Sequence, residues 1–174
     1  LAWLANHDTL SGLLNRRRFE EELHASLAES KRFNRNFAAV FIDLDDFKQV
    51  NDQFGHYIGD ELIKAVANTL NKSSRATDVV ARLGGDEFGM IIRSFKDGEL
   101  NVIADRMIKA LSSIRLSDEH AGVKCSASIG IAMMTAKDED IDDLLAHADA
   151  AMYQAKNQGK NNWSLYEPEN PATF

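Results

Sequence analysis

One stretch decides the fold of this chain: Ala81-Arg82-Leu83-Gly84-Gly85-Asp86-Glu87-Phe88-Gly89-Met90-Ile91-Ile92. Apolar residues lie on both sides of its centre, which predicts two short strands joined by a tight turn. The pair Gly84-Gly85 supplies the backbone freedom that such a turn needs. Asp86 and Glu87 follow at the tip, and adjacent strand residues point to opposite faces. One acid could therefore face a pocket; the alternative is a solvated turn with two surface acids.

The composition is that of one soluble globular domain. The 174 residues are 44% hydrophobic and 27% charged, which suffices for a sizeable core. No apolar run approaches the roughly 20 residues that span a bilayer, and no secretory signal is visible. The single cysteine, Cys125, cannot form an internal disulfide, which fits a reducing compartment. A net charge of −7 argues against binding of nucleic acid polymers, but not against a small anionic substrate.

A second group of acids follows an earlier strand. The apolar run 37–42 predicts a strand buried on both faces, and Asp43-Leu44-Asp45-Asp46 comes directly after it. Carboxylates at the end of a buried strand are costly unless they are solvated, paired or bound to a metal. Asp46 fits the start of a helix, where acids are favourable. For Asp43 we favour a metal role over that of a helix-start acid.

The other periodicities predict an alternation of helices and strands. A helix with Phe19, Leu23 and Leu27 buried follows the loop 8–17, and the last helix spans 141–157. Gly55 and Gly59 predict a short loop between two helices, the second running from about 59 to 71. Strands are expected from 123 to 131, where apolar and polar residues alternate, and over 163–166.

Motifs spread from Asp8 to Asn161 resemble those of the GGDEF domain, the diguanylate cyclase family. The pentad Gly84 to Phe88 is the hallmark of that family. The opening segment 8–17 resembles Asp-x-Leu-Thr-Gly-Leu-x-Asn-Arg, with Ser11 in place of Thr. Residues 148–161 resemble Ala-Asp-x-Ala-Leu/Met-Tyr-x-Ala-Lys-x-x-Gly-Arg-Asn, with Lys160 in place of Arg.

The resemblance implies an α/β (α+β) fold, with a central, mostly antiparallel five-stranded sheet flanked by helices, as in nucleotide cyclases and polymerase palms. It implies a catalytic domain over 8–166, preceded over 1–7 by the end of an N-terminal signalling helix and followed over 167–174 by a C-terminal tail. Because the chain does not begin with Met, we expect a fragment of a longer protein that carries an upstream sensory domain. We expect a cytoplasmic domain; any membrane anchor of the full-length protein would lie in a missing N-terminal region.

The resemblance also implies a reaction and a metal site. Two GTP molecules would condense to cyclic di-GMP and two pyrophosphates, as a 3′-hydroxyl attacks an α-phosphate beside two Mg²⁺ (or Mn²⁺) ions. The expected metal ligands are Asp43, the backbone carbonyl of Leu44, and Asp86. Glu87 would either bind metal or assist deprotonation of the hydroxyl, and both roles stay open. The expected catalytic residues are Asp86, Glu87 and Lys48.

The expected GTP contacts divide into phosphate and base. Gly84 and Gly85 would border the phosphates, and three lysines would balance the phosphate charge: Lys48, Lys156 and Lys160. For Lys156 an alternative is open, because lysines near a helix C-terminus are ordinary. Asn51 and Asp60 would select guanine, because a carboxylate accepts from its N1–H and 2-amino group; a helix-capping role for Asp60 is the alternative.

Phe47 and Ile63 would wall the base pocket.

One domain of this family holds one GTP, so the resemblance implies a homodimer as the active species.

A regulatory site is implied by Arg75-x-x-Asp78, which ends shortly before Gly84. In this family the pattern marks the site where cyclic di-GMP inhibits the enzyme, with Arg106 as an additional arginine. Two alternative functions compete with the cyclase: a non-catalytic cyclic di-GMP receptor, and a cyclase that acts on another nucleotide. The intact pentad and Asp43 argue against the first, and Asn51 with Asp60 against the second.

Overall fold

A five-stranded sheet forms the centre of the computed structural model, which describes residues 2–135, 137–138 and 140–167. Its strands are β1 (Phe37–Leu44), β2 (Val79–Gly84), β3 (Glu87–Arg93), β4 (Ala127–Met133) and β5 (Asn162–Leu165). The spatial order is β2-β3-β1-β4-β5; the first three pairings are antiparallel, and β4–β5 is parallel. The expected fold class, a mostly antiparallel five-stranded sheet flanked by helices, is confirmed.

Helices cover both faces of the sheet. They are α1 (Ala2–Asn6), α2 (Arg16–Phe33), α3 (Phe47–Phe54), α4 (His56–Ser73), α5 (Glu99–Ser112) and α6 (Ile141–Asn157), with a 3₁₀ turn at Asp118–His120. Helices α3, α4 and α5 pack on one face, and α2 and α6 pack on the other. None of the helices in the described residues is long and apolar enough to cross a membrane.

The central position of β1 follows from its sequence. All eight residues are buried, and alternate side chains enter different cores. Val40 and Ile42 pack with the α3–α5 layer, whereas Ala39 and Phe41 pack with α2 and α6. A strand without a polar face can be stable only between two layers, so β1 is the strand that both layers share.

Helix α2 is positioned by a cap at its start and by a buried apolar stripe. The Asn15 side chain caps it by accepting the backbone N–H of Arg18 at 3.0 Å. The predicted stripe Phe19, Leu23 and Leu27 is buried against the sheet. A Cβ on Gly89 of β3 would lie 2.7 Å from the Phe19 ring, so α2 packs where the strand has no side chain.

Several predicted boundaries were wrong. Strand β1 continues to Leu44, so Asp43 lies inside the strand rather than after it; β4 begins at Ala127, and β5 lies one residue earlier than expected. Helix α4 begins at His56, so Gly59 lies within it and does not form a loop. Helix α6 has the predicted bounds. Of the proposed tail, only Glu167 is described, and residues 168–174 lie outside the described residues.

Helix α6 approaches β4 more closely than any side chain on Gly130 would allow. An ideal Cβ there would lie 2.2 Å from the carbonyl oxygen of Ala148 and 2.4 Å from the backbone nitrogen of Met152. Both clashing groups belong to the helix backbone, which cannot rotate away as a flexible side chain does. Gly130 therefore fixes the distance between α6 and the sheet.

We predict that Gly130→Ala lowers the free energy of unfolding by about 1–3 kcal/mol, because overpacking forces the helix away from the strand. Urea denaturation of both proteins measures the change. Gly122→Ala is the matched control, since the nearest atom to its Cβ would be Phe54 Cζ at 3.9 Å. Equal stability of the two variants would contradict the packing argument.

Candidate active site

Three carboxylates meet where β1 ends beside the tip of the β2–β3 hairpin. Asp43 pairs in register with Glu87, and the backbone N–H of Leu44 donates to the carbonyl of Asp86 at 3.2 Å. Asp43 and Asp86 are therefore neighbours in space, although they lie 43 positions apart in the sequence. The structure confirms the predicted proximity of these two segments, which we call the acidic corner (Asp43, Asp86 and Glu87).

The electrostatics of the acidic corner are those of crowded like charges. Burial, followed by the negative charge of Asp43, raises the pKa of Asp86 above its ordinary value. Asp43 itself is 8% exposed. The Lys156 ammonium group donates to Asp43 Oδ2, and this hydrogen bond raises the pKa of Lys156 although burial opposes it. Lys156 therefore neutralises part of the corner from helix α6.

The hairpin tip is fixed by the two expected glycines and by Arg82, to which the sequence analysis assigned no role. Gly84 and Gly85 have φ values of 144° and 49°, which favour glycine. The Arg82 guanidinium donates to the carbonyl of Gly85 at 2.7 and 3.0 Å, and to the Asp8 carboxylate at 3.1 and 3.2 Å. The Asp8–Arg82 pair thus ties the opening motif to the pentad.

Asp8 is itself held by its own loop. It accepts the backbone N–H and the hydroxyl of Ser11 at 2.8 and 2.7 Å. Burial would raise the pKa of Asp8, but the Ser11 hydrogen bonds and the charge of Arg82 outweigh burial and lower it. The hydroxyl at position 11 therefore has a structural role that serine fulfils as threonine would.

A second cation meets the loop between β1 and α3. Lys160 Nζ donates to Asp46 Oδ1 at 2.9 Å, and the positive charge comes from the turn after α6. Asp46 occupies the N-cap position of α3, as expected for an acid at the start of a helix, although its side chain makes no cap hydrogen bond. Lys48 is exposed on α3, and no ion pair to it is seen in the described part of the chain.

The predicted base-binding residues lie at the corner between α3 and α4. Gly59 is buried beneath the Asn51 side chain, since a Cβ on Gly59 would lie 1.8 Å from Asn51 Oδ1. Asp60 follows Gly59 and is exposed, and Phe47 is half-buried beside the same glycine. Ile63 is 1% exposed and lies in the core, so only Phe47 of the two expected pocket walls reaches the surface.

Arg75 and Asp78 bind each other and the end of β3. The Asp78 side chain is 5% exposed and accepts the backbone N–H groups of Arg75 and Arg93 at 2.9 and 3.2 Å. The Arg75 guanidinium donates to Asp78 and to the carbonyls of Arg93 and Ser94. Arg106 is exposed on α5, and among the described residues it forms no hydrogen bond or ion pair with the other two.

The donor set suits a hard, oxygen-binding cation. Within 2–135, 137–138 and 140–167, no cluster of three His, Cys, Asp or Glu side chains could hold a metal alone. Mg²⁺ is usually bound by one or two carboxylates together with substrate phosphates rather than by a full protein cage. Asp43 and Asp86 offer two carboxylates whose mutual repulsion a divalent cation would relieve, so the residues fit that ion.

Comparison with known proteins identifies the family. The family model described as "Diguanylate cyclase, GGDEF domain" matches residues 5–162. The chain belongs to the GGDEF domain family. The bifunctional diguanylate cyclase/cyclic di-GMP phosphodiesterase MucR of Pseudomonas aeruginosa is 40% identical over 167 residues, which are 96% of this chain and 24% of MucR. This GGDEF domain therefore spans about a quarter of that relative.

Solved GGDEF structures share the fold. The coiled coil and GGDEF domain of DgcB from Caulobacter crescentus, in complex with c-di-GMP, has a TM-score of 0.88 at 28% identity, covering 94% of this chain and 87% of that one. The GGDEF domain of TpbB from P. aeruginosa has a TM-score of 0.87 at 38% identity, covering 95% and 96%. The palm-like cyclase fold expected from the motifs is thereby confirmed.

The raised pKa of Asp86 gives a prediction for stability. A raised carboxyl pKa means that the folded chain binds this proton more tightly than the unfolded chain, so ionised Asp86 destabilises the fold above that pKa. We expect Asp86→Asn to increase the free energy of unfolding at pH 7 in EDTA. The gain should shrink as the pH falls through the acid range, because wild-type Asp86 then becomes protonated.

Urea denaturation at pH 7 and at lower pH measures this difference. Asp118→Asn, at an exposed position in the 3₁₀ turn, is the matched control for removal of one charge. A loss of stability in Asp86→Asn at pH 7, with Asp118→Asn unchanged, would show that Asp86 is not crowded by Asp43.

Proposed function

We propose that this domain is a diguanylate cyclase that condenses two GTP molecules into cyclic di-GMP and two pyrophosphates. The observation that carries the proposal is the acidic corner with Lys156 bound to it. Carboxylates and an ammonium group side by side can serve a metal–triphosphate complex, in which cation and anion need opposite partners. Family membership and the 37–40% identity to proteins named as diguanylate cyclases support the same reaction.

Asp43, the Leu44 carbonyl and Asp86 would hold Mg²⁺, or Mn²⁺, in this proposal. When bound, two such ions supply activation of an attacking hydroxyl and neutralisation of a leaving pyrophosphate. Asp43 is well suited to this role, because strand β1 is locked between β3 and β4 and keeps its carboxylate in place. Glu87 adds a third negative charge and is proposed to assist in metal binding or in deprotonation of the 3′-hydroxyl.

Lysines on two elements would bind the triphosphate. Lys156 and Lys160 come from the end of α6 and the turn after it; Lys156 binds Asp43 near the end of β1, and Lys160 binds Asp46 in the loop that follows. Lys48 is exposed at the start of α3 and is free to add a third positive charge. Because lysine is a point charge rather than a bidentate fork, we propose that Lys160 attracts the phosphates more than it orients them.

Guanine is the proposed base. Asn51 lies on α3 and Asp60 on α4. Because Gly59 has no side chain, the Asn51 side chain can lie against α4 at the residue before Asp60. A carboxylate and an amide together can accept from and donate to the polar edge of guanine, whereas adenine lacks the two donors that Asp60 needs. Phe47 would contact the ring, and Ile63 would support Phe47 from the core.

Two domains must meet for the reaction, because each is proposed to hold one GTP and the product contains two. We propose a catalytic homodimer of the segment 8–166. Residues 1–7 would be the end of an N-terminal signalling helix, and an upstream sensory domain would set the pairing. Helix α1 supports the helical part of this proposal, since Ala2–Asn6 is helical.

The cyclase proposal predicts that the purified chain converts GTP and Mg²⁺ to cyclic di-GMP, resolved by chromatography. Asp86→Ala should lower the rate by about 100-fold or more, as expected when one electrostatic partner of the transition state is removed. Asp118→Ala, at an exposed position distant from the corner in sequence, is the control and should retain the wild-type rate.

Absence of product from the wild type calls for a second arm, with a dimerising helix fused before Leu1. Turnover restored by the fusion would show that pairing, rather than chemistry, was missing. Binding of cyclic di-GMP without turnover in the fused protein would overturn the cyclase and establish the receptor. Turnover per domain that stays constant down to very low enzyme concentration would argue against the dimer.

Product inhibition is proposed at Arg75 and Asp78, with Arg106 as a further contact. Arg75 is half exposed, and its guanidinium lies at the surface where an anionic ligand could exchange with the carbonyls it now binds. Glu99 at the start of α5 lies 3.7 Å from Arg75, which brings the helix that carries Arg106 to the same region. The crystallised complexes of related domains with c-di-GMP support a ligand of this class.

Arg75→Ala should raise the inhibition constant of added cyclic di-GMP by about 10- to 100-fold, the effect of losing charge-assisted hydrogen bonds. Initial rates at varied GTP measure it, and the wild-type inhibition should be noncompetitive. Arg32→Ala, at an exposed arginine of α2, controls for loss of positive charge. Unchanged inhibition in Arg75→Ala would remove this site from the proposal.

A further inference from the structure

Asp45 uses its carboxylate differently from the acids of the corner beside it. Oδ1 accepts the Ser128 hydroxyl at 2.7 Å, and Oδ2 accepts the Ser126 hydroxyl at 2.7 Å and the backbone N–H of Asn161 at 3.0 Å. No Lys, Arg or His forms an ion pair with it in the part of the chain that the structure describes. We call these three hydrogen bonds the Asp45 clamp. They join the loop after β1 to the starts of β4 and β5.

The turn that the clamp holds has an uncommon backbone. After Gly159, both Lys160 and Asn161 have positive φ, 62° and 47°. Non-glycine residues rarely adopt this region, and such conformations persist only where the surroundings enforce them. Two hydrogen bonds do so here: Lys160 N–H to the Ala155 carbonyl at 3.3 Å, and Asn161 N–H to Asp45.

The strain is concentrated at one junction. Among the described residues, five non-glycine positions have positive φ, and three of them meet here: Asp46, Lys160 and Asn161. Asp46 follows Asp45 and accepts Lys160 Nζ at 2.9 Å, so the clamp and this ion pair join the same two segments. Relaxation of the turn at Asn161 would redirect the Lys160 side chain, because the two residues are adjacent.

We propose that Asp45 is a positioning residue of the triphosphate site. It holds the Lys160–Asn161 turn against the β1–α3 loop, so that Lys160 keeps a fixed relation to Asp43. The proposal rests on the proposed function in one respect, namely that Lys160 binds phosphate. It assigns Asp45 a role in nucleotide affinity and none in metal binding.

Two other roles for Asp45 make different demands on its oxygens. A metal ligand needs lone pairs directed at the cation, whereas three of about four acceptor positions of Asp45 are taken by neutral donors. A merely structural role would affect folding without a specific effect at Asn161. Glycine at position 161 separates these cases, because glycine adopts positive φ without strain and removes the need for the clamp.

The test compares Asp45→Ala, Asn161→Gly and the double variant with the wild type, and Asp118→Ala is the control for charge. Titration calorimetry with 3′-deoxy-GTP and Mg²⁺ measures affinity without turnover, because this nucleotide lacks the attacking hydroxyl. Asp45→Ala should bind about 10-fold more weakly, the loss expected when one charge-assisted hydrogen bond from Lys160 to phosphate is impaired. The Mg²⁺ concentration for half-saturation should stay unchanged, and the double variant should recover most of the affinity.

A second measurement does not depend on nucleotide. Amide hydrogen exchange at position 161, followed by NMR in the ligand-free chain, should be faster in Asp45→Ala than in the wild type and unchanged in Asp118→Ala. If Asp45→Ala does not fold, Asp45→Asn keeps the side-chain volume and one acceptor oxygen. In that variant we expect exchange and affinity between the two extremes.

The outcomes are distinct. Unchanged exchange at Asn161 in Asp45→Ala overturns the clamp. A shift in the Mg²⁺ requirement at unchanged nucleotide affinity makes Asp45 a metal ligand, and failure of Asn161→Gly to restore affinity excludes the strained turn as the cause. If the wild type itself binds no 3′-deoxy-GTP, the proposed function fails, while the exchange measurement still decides whether Asp45 holds the turn.

Discussion

The approach of helix α6 to strand β4 is the constraint on which the acidic corner depends. Gly130 has no side chain, and the backbone of Ala148 and Met152 occupies the space that a Cβ would need. One turn later, the same helix brings Lys156 to Asp43, whose carboxylate is buried beside Asp86. Buried like charges are unfavourable without such a partner. A packing contact between a glycine and a helix backbone thus determines the electrostatics of the site.

The hairpin tip needs a second anchor, because glycines give it freedom as well as shape. Arg82 donates to the carbonyl of Gly85 inside the turn and to Asp8 outside it. The charges are largely buried, so removing either partner would leave the other uncompensated. The loop that follows α1 is thereby joined through Arg82 to Gly85, the residue before Asp86.

Local pattern was sufficient for the elements and for the identity of the main acids, but not for the contacts between distant segments. The bounds of α6 and the buried stripe of α2 followed from periodicity, and Asp43 stood out because it ended an apolar run. Arg82 lies 74 residues from Asp8, and Asn161 lies 116 from Asp45, so no spacing rule links them. The start of α4 was missed because glycine signals a loop, whereas Gly59 makes room for Asn51 inside a helix.

The proposed inhibitory site at Arg75 and Asp78 differs from the acidic corner in the hydrogen bonds that a ligand must displace. Asp78 already accepts two backbone N–H groups and the Arg75 side chain, and its carboxylate is almost fully buried. A product molecule can gain a hydrogen bond to Asp78 only where one of these donors gives way. Its apparent affinity is then reduced by the fraction of molecules in which Arg75 has left the carbonyls of Arg93 and Ser94. Arg93 is the last residue of strand β3 and Glu87 is its first, so one carbonyl that Arg75 binds and one acid of the acidic corner lie at opposite ends of the same strand.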